Sequence, residues 1–233
     1  MVERGRVAIV EYSLFAKDTG ELIDTTSEAE AKLYRKYVNE AVYEPDVVII
    51  GEGRFFQGFE ESLEKCEVGV EREFEIPAEK GYGPRDPAKV KIYPRRMFEK
   101  QNIRPEVGRE VRINNEVGRI LAVEGGRVIV DFNHPLAGKV LKLKIRVVRV
   151  LEDLVEIVKY LVRRRLRGAK LDDIKIDVEK EHGRVVIELP REFRVGRDIQ
   201  YAKTFIAYDI LKHIKDVKEV AFLDRFTIDE LRG

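Results

Sequence analysis

Apolar and polar positions change period several times along the chain, and each change marks an element. Residues 6–15, RVAIVEYSLF, are rich in β-branched and aromatic side chains; KDTG then supplies turn chemistry and ELIDT reads as the return strand of a hairpin. Residues 27–41, SEAEAKLYRKYVNEA, switch to helix formers with Leu33, Tyr34, Tyr37 and Val38 at helical spacing behind a Ser27 N-cap, which predicts an amphipathic helix laid over a surface. VVII follows as a short buried strand and GFEESLEKC as a short helix. In GVEREFEIP, Val70, Arg72, Phe74 and Ile76 alternate with Glu71, Glu73 and Glu75, so three acids share one solvated face of a strand.

From Lys89 the texture becomes short strands between turns: KVKIY, REVRI before NN, VGRILAV before EGG, then RVIVDF, a small all-β unit. After NHPLAG, the run KVLKLKIRVVRVL predicts a long strand. The period then turns helical, with Leu151, Leu154, Val155, Val158, Leu161 and Val162 at i, i+3, i+4, i+7 spacing ahead of RRRLRG. A hairpin turning near His182 and Gly183, a helix from about Arg197 to Ile214 and a last strand KEVAFLDRFTI complete an αββαβ order. Residues 151–233 are thus expected to be a separate α+β module.

Composition narrows the class. The 44 basic residues nearly cancel the 43 acidic ones, so nothing in the balance calls for an anionic partner. The apolar run near the N-terminus alternates and is flanked by both signs of charge, unlike a secretory leader, and no stretch approaches the ~18 apolar residues of a membrane span. A cytoplasmic protein without a membrane partner is expected. A single cysteine, Cys66, excludes an internal disulfide or a cysteine-cluster metal site and reads as a buried apolar residue. High charge of both signs, one Cys and no Trp resemble proteins of hot-living organisms.

Most catalytic motifs fail. GEGRFFQG follows a strand but lacks the last glycine of a dinucleotide loop and the lysine of a phosphate loop. His134, His182 and His213 are scattered, without metal-site spacing, and His213 sits near a helix C-terminus where a cation is mildly favoured. RRRLR ends a helix in a module of 18 basic and 17 acidic residues, so it reads as a solvated helix end rather than a nucleic-acid patch.

What remains is a set of aromatic residues at strand ends and turns. Tyr12, GELIDTT around Asp24, the stretch VVIIGEGRFFQGFEESLEKCEVGVEREFEIPAEKGYGP and the long strand resemble the FKBP-type peptidyl-prolyl isomerases over about residues 2–150. The unit inserted between GYGP and NHPLAG is similar to the SlyD-like subgroup, whose inserted flap domain acts as a chaperone, and the C-terminal module resembles the extension of long archaeal members. The resemblance implies an α+β fold: an FKBP-like antiparallel sheet wrapped on a short helix over 1–85 and 132–150, a small all-β insert over 86–131, and a C-terminal αββαβ domain over 151–233. NHPLAG then becomes a return joint, and His134 a hinge residue rather than a general base.

The resemblance also implies roles. Phe59 would form a pocket floor, with Tyr12, Phe56, Val48 and Leu143 as walls, Phe55 flanking it and Leu136 and Ala137 as roof. The Phe56 N–H would hold a substrate carbonyl, the Tyr82 hydroxyl another, and Asp24 would stand near the rotating amide. Phe59 and Leu143 occupy positions where small family members commonly have Trp and Phe, which reduces aromatic enclosure. No cofactor or metal is expected, since the histidine-rich tail of some SlyD-like proteins is missing. In the insert, Ile92, Tyr93, Met97, Phe98, Ile103 and Ile120 either present an apolar surface to unfolded chains or fill a very small core. The expected partners are unfolded or proline-containing polypeptides, with a homodimer through the C-terminal module whose open sheet face seeks a partner. A non-catalytic FKBP-like binding scaffold is the alternative reading, and a nucleic-acid-associated protein a distant third.

Overall fold

β1 (Val7–Ala16) is apolar at both parities in its first half, and the computed structural model explains why: it is buried on both faces. The structure describes residues 2–194, 196, 198–226 and 228. β1 turns into β2 (Leu22–Thr25), which pairs with its second half, while β3 (Asp46–Ile49) pairs with its first half. Between them α1 (Glu28–Leu33) starts on Ser27, whose side chain accepts the Glu30 N–H. The helix is far shorter than the 27–41 expected from spacing. Arg35 takes a left-handed φ of 57°, and Leu33 stays 74% exposed, so no apolar stripe finds a surface to propagate against.

α2 (Gln57–Glu64) packs on β4 (Glu71–Ile76) at Gly58, where an added Cβ would lie 2.3 Å from Ile76 Cγ2. β4 then pairs with the long strand described below. The insert holds β5 (Val90–Pro94), α3 (Arg95–Glu99), β6 (Glu110–Ile113), β7 (Glu116–Glu124) and β8 (Arg127–Asp131), in sheet order β5-β8-β7-β6. It is therefore not all-β: α3 places Phe98 over the sheet. Asn114 and Asn115, both at positive φ, make the tight β6–β7 turn. β9 (Leu141–Val150) returns through the centre of the first sheet, whose order is β2-β1-β9-β4. Lys142, Lys144 and Arg146 stand opposite Glu75, Glu73 and Glu71, so the acidic face of β4 meets a basic ladder, with Lys142 Nζ 2.7 Å from Glu73.

The C-terminal part runs α4 (Leu154–Arg165), β10 (Lys175–Glu179), β11 (Arg184–Glu188), α5 (Ile199–His213) and β12 (Glu219–Leu223), the αββαβ order expected. The expected helix start at Arg197 lies outside the described residues, and the last strand, expected to run on to Ile228, ends at Leu223. Ile176, Val178, Val185, Ile187, Val220 and Phe222 all belong to the core shared with the helices. The opposite sheet face, expected to seek a partner, is mixed: Lys175, Asp177, Glu179, Arg184, Glu188 and Glu219 stand there with Val186, Ala221 and Leu223.

Three apolar cores result. One fills the first sheet's crease against α2, with Ala8, Val10, Val48, Phe59, Leu143 and Cys66. Another fills the insert, with Phe98, Val111, Ile120, Val128 and Val130. The third joins Val7, Ile9, Val47 and Ile49 to α4, α5 and the C-terminal sheet. The module over 151–233 is therefore not free-standing: α4 packs on the back of the first sheet, and each of those four side chains buries about 1.5–3 kcal/mol of apolar transfer energy there.

The RRRLR run is corrected in the same region. Arg164 is 4% exposed and pairs with Glu52 at 2.7 Å; Arg163 meets Glu44 at 3.4 Å; Arg165 grips Asp209 at 2.8 Å. These arginines bind the end of α4 to the first sheet's loops and to α5 rather than to solvent. Among the described residues no helix is long and apolar enough to cross a membrane.

Candidate active site

The loop between β3 and α2 sets the site. Glu60, on the first turn of α2 and 7% exposed, accepts the Gly51 N–H at 3.1 Å and the Phe55 N–H at 3.2 Å, so the helix itself holds the loop that precedes it. Two aromatic rings, Phe55 and Phe56, then emerge at the start of α2. Phe55 lies flat on Phe59 with centroids 4.0 Å apart and planes at 15°. Tyr12 of β1 meets Phe59 edge-on at 5.1 Å and Phe55 at 5.9 Å. Phe56 bridges Phe59 at 5.9 Å and Tyr82 at 5.4 Å. Tyr82 in turn stacks on His134 at 4.4 Å and 3°.

This assembles Tyr12, Phe55, Phe56, Phe59 and Tyr82 into one cluster, but not with every side chain at the surface. Phe59 is 1% exposed and Val48 and Leu143 are wholly buried, so these three support the cluster from below; Tyr12, Phe55, Phe56 and Tyr82 form the surface a ligand meets. Phe55, read from sequence as a flank, covers the floor.

Polar groups border the rings. The Tyr12 hydroxyl donates to Asp24 Oδ2 at 2.8 Å, while Asp24 Oδ1 accepts the Thr25 N–H at 2.9 Å. Burial first, and then the Asp24 carboxylate, hold the Tyr12 phenol far above its ordinary range, and the same two causes raise Tyr82. Both stay protonated donors at any working pH. Among the described residues nothing accepts the Phe56 N–H, and the Tyr82 hydroxyl has no hydrogen-bond partner. Both donors belong to residues of the ring cluster and have no intramolecular claim on them. No group of His, Cys, Asp and Glu among the described residues is arranged to hold a metal ion.

The joint with the insert lies at the site's edge. Asn133 accepts the Asp86 N–H and donates to the Asp86 carbonyl, both at 2.9 Å, and Arg85 pairs with Asp131 at 2.7 Å, so outgoing and returning chains are stapled side by side. Burial alone would raise the Asp131 carboxyl, but the Asn133 donors and Arg85 hold it below its usual range. His134 Nδ1 accepts the Leu136 N–H at 3.2 Å, which ties the ring into the NHPLAG turn. Leu136 and Ala137 are half-buried in that turn.

A groove of about 670 Å³ runs from this turn along the insert, lined by Val117, Leu121, Phe132, His134, Pro135 and Ala137 among others. Val117 is 52% and Leu121 39% exposed, and neither was singled out from sequence. Two expected surface residues are corrected: Phe98 and Ile120 are each 1% exposed, because the insert needs both to close its core. Tyr93, Met97 and Ile103 pack half-buried against that core, and Ile92 alone of the six is open, at 60%. Glu52, Arg54, Glu60 and Arg164 are the residues that sequence reasoning missed. Arg164 was noticed only as part of the RRRLR run, and Glu52, Arg54 and Glu60 stand among glycines and phenylalanines with no pattern to mark them.

A curled antiparallel sheet on a short helix, with an aromatic bowl at its open end and an inserted unit beside it, defines an isomerase of the FKBP class. The chain belongs to the FKBP-type peptidyl-prolyl cis-trans isomerase family. That family's profile matches residues 1–99, the profile described as FKBP26, IF domain matches 91–136, and that described as FKBP26 C-terminal matches 154–227. The chain is 38% identical over 147 residues to a short-type peptidyl-prolyl cis-trans isomerase of Methanocaldococcus jannaschii, covering 63% of this chain and 92% of the relative. It is 30% identical over 159 residues to the FKBP-type peptidyl-prolyl cis-trans isomerase SlyD of Haemophilus influenzae, covering 66% of this chain and 75% of that one. A probable FKBP-type 16 kDa isomerase of Pseudomonas fluorescens is 33% identical over 111 residues, covering 46% of this chain and 73% of the relative.

Proposed function

We propose that this chain rotates X-Pro bonds on the bowl of Tyr12, Phe55, Phe56 and Tyr82, and that its insert, residues 86–131, holds unfolded segments beside that bowl. Amide resonance makes the planar bond polar and sets a rotation barrier of about 18–20 kcal/mol. The twisted transition state has lost that polarity, so an apolar surface favours it over the planar ground state. Rotation moves no proton and needs no nucleophile. The Phe56 N–H anchors the carbonyl on one side of the rotating bond and Tyr82 that on the other, while Asp24, fixed by Tyr12, faces the amide being twisted. Lowering the barrier by about 5 kcal/mol gives a few thousandfold.

The unclaimed N–H of Phe56 at the start of α2, a residue whose ring meets those of Phe59 and Tyr82, carries this reading. The groove beside His134 supports the holding role, since weak affinity for a segment there raises the local concentration of its prolines at the bowl. The chain is further proposed to form a homodimer through α5, whose outward Tyr201, Phe205, Tyr208 and Leu211 are 70%, 51%, 55% and 43% exposed.

A protease-free assay on a short X-Pro peptide, beside refolding of a protein limited by proline isomerisation, tests the division of labour. Wild type accelerates both, and deletion of 86–131 leaves the peptide rate within about twofold while lowering the refolding rate at least tenfold, about 1.4 kcal/mol. Equal loss on both substrates sinks the holding role, and no acceleration of the peptide by wild type sinks catalysis at the bowl.

A further inference from the structure

A second cleft, of about 230 Å³, opens next to the bowl. Tyr12, Asp24 and Phe55 form one side of it, and Arg163, Arg164 and Arg167, from the end of α4 and the residues after it, form another. The C-terminal part of the chain therefore borders the isomerase site, which the family's smaller members, lacking this part, cannot reproduce.

The charges of the cleft do not cancel in kind. Its carboxylates are spoken for: Asp46 holds Arg54 at 2.8 Å, Glu44 meets Arg163 at 3.4 Å, and Asp24 accepts the Tyr12 hydroxyl at 2.8 Å. Of its cations, Arg54, Arg163 and Arg164 are paired as well, and Arg167 is not. Arg167 is exposed and has no ion-pair or hydrogen-bond partner among the described residues. Arg164 pairs with Glu52, yet its Nη1 is buried without a hydrogen-bond acceptor, 4.0 Å from Asp209 and out of reach; the buried Arg163 Nε is likewise unmatched. Arg167 thus offers a guanidinium that this chain does not pair, in a cleft that also holds Phe55, the ring on which the proline segment rests. A guanidinium presents a planar fork that fits a carboxylate.

We infer that this cleft is a specificity subsite for acidic side chains flanking the X-Pro bond, with Arg167 as the specificity-determining residue. The inference rests on the bowl being the site of rotation. Arg167 stands at the rim, so its partner remains solvated and the effect is a screened one, about two- to fivefold in kcat/KM. Asp24, on the far side, keeps the effect from being a general attraction for anions: the acid must be placed on the Arg side of the bound segment.

The test compares short peptides carrying Glu, Lys or Ala at the positions flanking one X-Pro bond, with the full chain and with R167E and R96E. Arg96 is an exposed residue of α3 in the insert, so R96E changes net charge equally without touching the cleft. Wild type and R96E are expected to favour Glu over Lys by about two- to fivefold at low salt, to lose the preference near molar salt, and R167E to reverse it. Equal rates on the Glu and Lys peptides at low salt, or an unchanged preference in R167E, overturn the inference. Failure of wild type to accelerate even the Ala peptide instead overturns the reading of the bowl on which it stands.

Discussion

His213 lies at the end of α5 beside Glu52, Asp209, Lys212 and Arg164, and burial there pushes its imidazole below the usual 6.5; the two acids pull it back up and the two cations push it further down. The sequence suggested a helix-end cation, yet burial is the largest influence on the ring and disfavours its charged form. A histidine held low binds its proton more readily when unfolded, so its contribution is present above 6.5 and lost as pH falls through the folded value. Urea unfolding should show wild type losing stability as pH falls below 6.5, and His213→Gln should lose clearly less over the same fall. An identical pH slope in both proteins would remove His213 from the account. Tyr12, Asp24, Phe56, Phe59 and Tyr82 were singled out at this scale through the resemblance that their joint spacing carries, since any one of them alone reads as ordinary core. Glu60 was not, because a carboxylate that caps the loop before its own helix looks like any surface glutamate until the loop folds back.

Among elements, α4 departs furthest from its sequence pattern. Its apolar stripe was read correctly, but RRR at its end resembled a solvated terminus, and only the approach of Glu52, Glu44 and Asp209 from other elements turns it into an interface. Arg164 and Glu52 are 4% and 8% exposed, so removing one partner strands a buried charge. Arg164→Met should cost about 3–5 kcal/mol in urea unfolding, and the double variant with Glu52→Gln should recover most of that loss. A cost under about 1 kcal/mol for the single variant would mean the pair is solvated in solution. α1 failed in the opposite direction: its helical spacing was real, but with Leu33 exposed and Arg35 left-handed the pattern had no partner to stabilise it.

For the whole molecule, the insert and the C-terminal part attach differently. The insert has its own core and is held by a stapled pair of chain crossings at Asp86 and Asn133, whereas the C-terminal part shares a core with β1 and β3. The insert is thus placed to swing as a unit, and α4 to stay fixed against the first sheet. α5 presents its outward apolar stripe away from that shared core. Sedimentation at micromolar concentration should give a dimer, and Phe205→Glu a monomer with an unchanged rate on short peptides. A monomeric wild type would leave the stripe without the role proposed for it.

Local pattern alone determined most of the strand and helix order, because alternation and turn chemistry are properties of short stretches, whereas the inserted unit, the aromatic cluster and the return joint at NHPLAG were expected from the family resemblance that the motif spacing carries. VVII was expected as a buried strand, whereas the N-terminal run was read as alternating, although the apolar residues of VAIV stand at both parities, hence on both faces. What covers the second face, which acids meet the arginines of α4, that Phe55 lies over Phe59, and that Phe98 and Ile120 close a core were decided only by tertiary structure. Each depends on which distant segments come together, and burial and ion pairing are properties of those encounters rather than of any one stretch of chain.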